Sequence, residues 1–265
     1  MKKLLLTVIG LAGLGGAPAL AADLPARVYT KAPPPVVAPI YNWGGFYIGV
    51  NGGGGSARKC WGLDGVAGIN FPGISEGCHD ATGGMAGGQI GYRWQATNWV
   101  FGVEAQGDWA DFKGSNTSLV VPAALAAVGL SYSNNTKIDA IGLFTGQVGY
   151  AWNNVLWYVK GGAAVTHDKY FGVTSPALGL ITFDNASEDR WGGTVGTGVE
   201  IGFAPGWSVA FEYDHLFMGS RNVTTTLAVP LVAGIGFRNE RISEDVDIGT
   251  VRVNYTFGGP VVAKY

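Results

Sequence analysis

The chain has 265 residues, 47% of them hydrophobic and only 14% charged, with 44 glycines and a formal net charge of −2. Glycine at this level without a three-residue period excludes collagen, and the mildly acidic balance argues against a nucleic-acid-binding chain. Past residue 22 no run reaches the ~18 apolar residues that a membrane helix needs, so high hydropathy points to a transmembrane β-barrel, with a very apolar β-sandwich as the alternative.

Residues 1–22 read as a secretory signal: "MKK" is the basic start, "LLLTVIGLAGL" the apolar core and "ALAA" the small-residue cleavage site. Ala19-Leu20-Ala21 fits that site, with cleavage after Ala21 or Ala22. A retained anchor is disfavoured because the apolar core is short and ends in Gly, Ala and Pro. Without Lys2 and Lys3 the chain keeps 15 basic against 19 acidic residues, a net charge of −4. Residues 23–42, "DLPARVYTKAPPPVVAPIYN", form a proline-rich, extended linker. Residues 43–257 form the folded domain, and 258–265 a short tail.

Eight strands are expected near 44–56, 84–94, 99–110, 138–152, 155–167, 190–203, 207–217 and 246–257. In 190–217 the apolar or small positions recur at every second residue from Trp191 to Phe203, then from Trp207 to Tyr213. That is the period of a strand. The connections alternate between tight turns at 95–98, 153–154 and 204–206 and long segments at 57–83, 111–137, 168–189 and 218–245. Short turns at one end and long loops at the other mark an antiparallel up-and-down barrel. Pairing Trp152 with Val155, Trp94 with Trp99 and Phe203 with Trp207 keeps every apolar set on one face, and a one-residue slip would mix the faces.

Aromatics gather at the strand ends. Trp94, Trp99, Trp152, Trp207 and Phe257 sit at the short-turn end. Trp109, Trp191 and Phe217, with Phe112 and Tyr170, sit toward the other. Two belts around an aliphatic band fit interfacial girdles, which puts the apolar face toward lipid. The inward face then carries Arg93, Glu104, Asp108, Lys137, Asp139, Lys160, Glu200, Glu212, Asp214 and Arg252. An eight-stranded barrel holds little beyond side chains, and buried charges must be paired. Arg93, Glu104, Lys160, Glu200, Glu212 and Arg252 are therefore read as a salt-bridge network; the alternative is a proton or ion path.

Cys60 and Cys78, the two cysteines of an exported chain, read as one disulfide. His79 falls in the first long segment; His167 and His215 fall at strand ends with lipid-facing parity. A lipid-modifying enzyme would need such a histidine beside Ser or a carboxylate. Ser220 and Asp214 lie near His215 in sequence, but Asp214 has the opposite parity. No catalytic chemistry and no metal site are expected, and "GVNGGGG" lacks the Lys and helix of a phosphate loop. Three long segments carry apolar runs broken by Pro122, Pro176 and Pro230. These runs are read either as extensions of the wall that gather Val120, Leu125, Leu178, Ile181, Val229 and Leu231 into an apolar rim, or as plugs over its mouth.

The stretches "AADLPARVYTKAPPPVVAPIYNWGGFYIGVNGG", "DAIGLFTGQVGYAWNNVLWYVKGG", "WGGTVGTGVEIGFAPGWSVAFEYDHL" and "VRVNYTFGGPVVAKY" resemble, in that order, the small outer-membrane immunogenic or porin-family β-barrel proteins of alphaproteobacteria. The resemblance covers the mature chain and implies an outer-membrane location, long loops outside, the linker in the periplasm, and lipid and the barrel-assembly machinery as partners. Phe257 resembles the terminal aromatic of such barrels. Because the family includes surface antigens and haemin-binding members, haem is the one cofactor it suggests, through His79, His167 or Tyr170. Self-association or host contact would run through the loops. The expected role is structural and surface-presenting, in support of envelope integrity. The alternatives are a small diffusion pore and a haemin- or host-ligand-binding receptor or adhesin.

Overall fold

A computed structural model describes residues 41–66, 68–120, 132–174, 182–227 and 236–258. The signal segment, almost all of the linker, the tail beyond Gly258 and Leu125, Leu178, Ile181, Val229 and Leu231 lie outside the described residues. Eight antiparallel strands follow in chain order: β1 (Gly45–Val66), β2 (Ile69–Ala96), β3 (Trp99–Thr117), β4 (Tyr132–Trp152), β5 (Val155–Thr174), β6 (Thr182–Ala204), β7 (Trp207–Leu227) and β8 (Gly236–Thr256). Each pairs with its sequence neighbour, and β1 pairs with β8, which closes the barrel.

The turns at one end are short because their residues accept positive φ: Thr97 at 58°, Asn153 at 53° and Gly206 at 76°. Thr97 and Asn153 hold the first central position, where positive φ matches the twist of the strands they join; Gly206 holds the second, after Pro205, as in a type II turn. Around Asn153, Trp152 pairs with Val155 and Tyr150 with Trp157, as the parity argument has it. Around Thr97 the expected pairing was two residues out. Trp99 faces Ala96 rather than Trp94, and Glu104 faces Gly91 rather than Gln89. At the third turn Trp207 faces Ala204 rather than Phe203, after a register shift, while Val199 and Phe211 pair as expected. A slip of two leaves every side chain on its face, so the inside and outside of β2 and β3 are as the alternation requires.

The segments expected as long loops are largely strand. The strands run 19 to 28 residues, about twice the 9–11 that cross a bilayer. Residues 57–66 and 69–83 extend the first hairpin, and 168–174, 182–189, 218–227 and 236–245 extend the others. Beyond the membrane band both faces of a strand are polar, so the apolar-polar alternation that marks a half-buried strand disappears. Lys137 and Asp139 are a second correction. A register shift between Ile138 and Ala140 places an extra residue there, and such a bulge re-aims its neighbours. Both side chains are on the outer face, part-exposed.

On the outside, Trp94, Trp99, Trp152, Trp207 and Phe257 stand exposed at the short-turn end, and Trp109, Trp191 and Phe217 nearer the other. Phe112 and Tyr170 do not belong to that outer ring: both are fully buried inside the barrel.

Candidate functional site

The lumen is built in layers. At the short-turn end Trp43 packs against Val100, Ala151, Leu156 and Tyr158. Above it lies the expected charge network, in two groups. Arg93 reaches Glu200 at 2.7 Å, and Glu200 also accepts from Asn254 at 3.0 Å and from Ser208. In the second group Lys160 lies 2.5 Å from Glu212, 3.5 Å from Glu104 and 3.4 Å from Asp214. Arg252 pairs with Glu104 at 2.5 Å and with Glu212. All of these side chains are essentially without solvent contact.

Two tyrosines that sequence reasoning passed over join the groups. Tyr47 donates to Glu104 at 2.6 Å while Arg93 lies over its ring at 4.3 Å. Tyr158 donates to Glu212 at 2.5 Å. Their seats explain two of the glycines. A Cβ at Gly91 would stand 2.5 Å from the Tyr47 ring, and one at Gly198 would stand 2.6 Å from that of Tyr158. The parity of Tyr47 and Tyr158, opposite to the lipid-facing aromatics around them, was the available signal. Asp108 is also inside, bonded by Gln106 at 2.8 Å.

Higher up comes an apolar collar that includes Met85, Phe112, Ile138, Ile141, Leu143, Leu216 and Ile248. Above the collar a second charge cluster lies where loops were expected. Lys59 pairs with Asp168 and, at 2.9 Å, with Glu244. Arg190 bonds Glu188 at 2.7 Å and the Tyr170 oxygen at 3.1 Å. Burial pushes the Tyr170 hydroxyl well above its usual range, so it stays protonated. Still further up, Glu76 takes Arg238, Ser118 at 2.8 Å and Asn134 at 3.3 Å. No hydropathy alternation marks this inward face: Arg238, Glu240 and Glu244 are buried, while Asn239, Arg241 and Asp245, equally polar, alternate with them on the outside.

The structure scatters the histidines. His79 is inside the wall, between Asn116 at 2.8 Å and Thr136 at 3.1 Å, with Trp61 stacked on it. Burial pulls its imidazole below the usual value, against the bond that it donates to the Asn116 amide oxygen. His167 and His215 are on the outside. His215 lies 2.7 Å from Asp247, which also accepts from Tyr213 at 2.5 Å; neither Ser220 nor Asp214 is its partner. His167 bonds Asp189 through Nδ1 at 2.6 Å and Ser187 through Nε2 at 3.2 Å. That is the connectivity of a hydrolytic triad, but the Asp189 side chain is 70% exposed. A strand face this open does not shield a developing oxyanion from water, so connectivity alone assigns it no chemistry. His79 and Tyr170 are inside and His167 outside, so these three do not form one ligand set. Among the described residues no group of three His, Cys, Asp or Glu is arranged for a metal ion.

Cys60 and Cys78 form a disulfide across directly paired positions of β1 and β2, on the outer face of the extended wall. The bond ties two strands rather than the ends of a loop.

The family model for the outer membrane protein beta-barrel domain matches residues 7–257. The chain is 29% identical to the 31 kDa outer-membrane immunogenic protein of Brucella melitensis over 264 residues, covering 97% of this chain and all of the relative. The Brucella suis protein of the same name matches to the same extent. Among solved structures, the outer membrane protease OmpT of Escherichia coli superposes with a TM-score of 0.50 at 9% identity, over 80% of this chain and 97% of its own; that likeness is one of fold.

Proposed function

This chain belongs to the outer-membrane protein β-barrel family, and from that membership we propose that it is a sealed, surface-presenting barrel that supports the integrity of the envelope. The observation that carries this reading is the stacked filling of the lumen. A plug around Trp43, a solvent-free charge layer, an apolar collar and a second charge layer follow one another along the axis. A diffusion pore needs a continuous wet path, and an eight-stranded ring has interior width for side chains only. The tall wall beyond the aromatic girdles is what the protein presents. The short turns and the linker face the periplasm in this reading, and the long hairpins face the environment.

The lumen is tested in a planar bilayer. The purified barrel should give no reproducible conductance steps, and the Arg93→Ala/Arg252→Ala variant, with the charge layer thinned, should leak. Stable unit steps from the wild type that vanish when the lumen is blocked would replace this reading with the porin one. Envelope support is tested by deletion: the mutant should become more permeable to detergent and bulky antibiotics, and an unchanged permeability would remove that role. The receptor alternative is tested by titrating haemin and following its Soret band; saturable binding lost on His79→Ala or Tyr170→Phe would favour it.

A further inference from the structure

Three lysines stand side by side on the outer face of the wall. Lys113 on β3 pairs directly with Lys137 on β4, and Lys137 directly with Lys169 on β5. Like charges placed opposite each other on neighbouring strands repel. Two carboxylates relieve part of this: Asp111 lies 2.8 Å from Lys113 and 3.6 Å from Lys137, and Asp139 lies 2.5 Å from Lys169. Three ammonium groups still outnumber those two aspartates, and each ammonium carries three N–H donors. Donor capacity is left over in this row; the next carboxylate on the same face, Asp189, is bonded to His167 at 2.6 Å.

The height of this row matters. Trp109, Ala140 and His167 are cross-strand neighbours on the same three strands, nearer the membrane. Trp109 is 81% exposed and belongs to the upper aromatic girdle, the level where side chains meet lipid headgroups. The lysines therefore stand at the height of the headgroup phosphates. One step further down, Gly107 pairs with Gly142 and Gly142 with Val165. With no side chains on the two glycines, the outer surface sinks into a groove of ≈ 450 Å³ lined by Trp109, Ala140 and Val165, with the His167–Asp189 pair also on its lining. A Cβ built at Gly107 meets nothing within 4 Å. Cationic row above and apolar groove below run along the same three strands.

We propose that this face binds a phosphorylated, multiply acylated lipid of the outer leaflet, with its phosphate on Lys113, Lys137 and Lys169 and one acyl chain in the groove over Gly107 and Gly142. The groove decides between a lipid and a free phosphate, because a free anion has no use for an apolar trough. The site is on the wall, so it is independent of whether the lumen conducts.

Native mass spectrometry of the detergent-purified barrel tests this with three probes: bisphosphorylated lipid A, the same lipid fully dephosphorylated, and inorganic phosphate. The wild type should retain the bisphosphorylated lipid at least tenfold over the dephosphorylated one, and millimolar phosphate should not displace it. Lys113→Gln/Lys137→Gln/Lys169→Gln should erase the preference, while Arg241→Gln, an exposed cation elsewhere on the wall, should keep it. Gly107→Leu, which fills the groove, should weaken both lipids about equally. Heat-modifiable gel mobility reports folding, and Lys137→Gln alone replaces the triple variant if that one fails to fold. A wild-type preference surviving loss of the lysines, displacement by inorganic phosphate, or a preference lost in Arg241→Gln would overturn the phosphate site. Unchanged binding in Gly107→Leu would overturn the acyl seat.

Discussion

Lys160 on β5 and Glu212 on β7 meet inside the ring at 2.5 Å, and neither side chain touches solvent. Glu212 also receives Arg252 and the Tyr158 hydroxyl. Glu212→Ala leaves two cations short of a partner, and breaking a buried pair in this way costs about 3–5 kcal/mol. Replacing both partners, as Lys160→Met with Glu212→Leu, should cost less than the sum of the single changes, since no unpaired ammonium remains. Urea unfolding in lipid vesicles, run as a double-mutant cycle, measures the coupling. Strict additivity would mean that the pair contributes nothing as a pair.

Gly198 is the seat of the Tyr158 ring, with 2.6 Å between them once a Cβ is added. Gly198→Ala should push the ring off Glu212 and cost roughly 1–3 kcal/mol through overpacking. Tyr158→Phe removes only the bond to the carboxylate, worth about 1.5–3 kcal/mol. If Gly198→Ala unfolds at the wild-type urea concentration, the backbone yields there and the seat is not a constraint.

Reduction of the Cys60–Cys78 bond should be felt locally. In the chain-entropy model a link over 18 residues constrains the unfolded chain by roughly 3 kcal/mol. The link, though, lies in the wall beyond the girdles. Dithiothreitol should speed amide exchange in 57–66 and 69–82 and leave exchange around Lys160 and Glu212 unchanged. Equal acceleration in both regions would show that the disulfide supports the whole barrel.

Acid should loosen the same hairpin. Burial holds the folded His79 imidazole below its usual value, so the unfolded chain takes up the proton first. The stability that neutral His79 contributes is complete above about pH 6.5, the unfolded value. It declines as pH falls from there and is spent below the folded pKa. His79→Gln, which keeps polar contact with Asn116 and Thr136, should flatten this dependence. Amide exchange of the β1–β2 hairpin at pH 7 and pH 5 is the measurement. Identical pH slopes in wild type and variant would place the sensitivity elsewhere.

The membrane band was legible in the sequence because it has one wet face and one greasy face. Gln147 and Lys160 share a row inside while Val148 and Val159 share one outside, and a one-residue slip would mix the two sets. Glu212, Lys160 and Arg252 followed from parity alone. Lys59, Asp168 and Glu244 did not, since their strands pass through water on the outside and a polar lumen inside, so neither face is marked by hydropathy. Lys137 and Asp139 were misplaced because the bulge at Asp139 shifts the parity of one strand, and nothing in "NNTKIDAIG" announces the extra residue. The two-residue slip at Thr97 did no damage to the inside-outside assignment, as an even shift cannot.

The lower charge layer draws on every strand: Tyr47 from β1, Arg93 from β2, Glu104 from β3, Gln147 from β4, Lys160 from β5, Glu200 from β6, Glu212 from β7 and Arg252 from β8. An open sheet of seven strands lacks at least one member, and its charges would then face hydrocarbon with bonds unmade. The layer therefore acts as a clasp that locks only when the last strand meets the first. A chain missing β8 should stall as an uninserted sheet instead of a smaller barrel, and insertion and ring closure should be a single kinetic event.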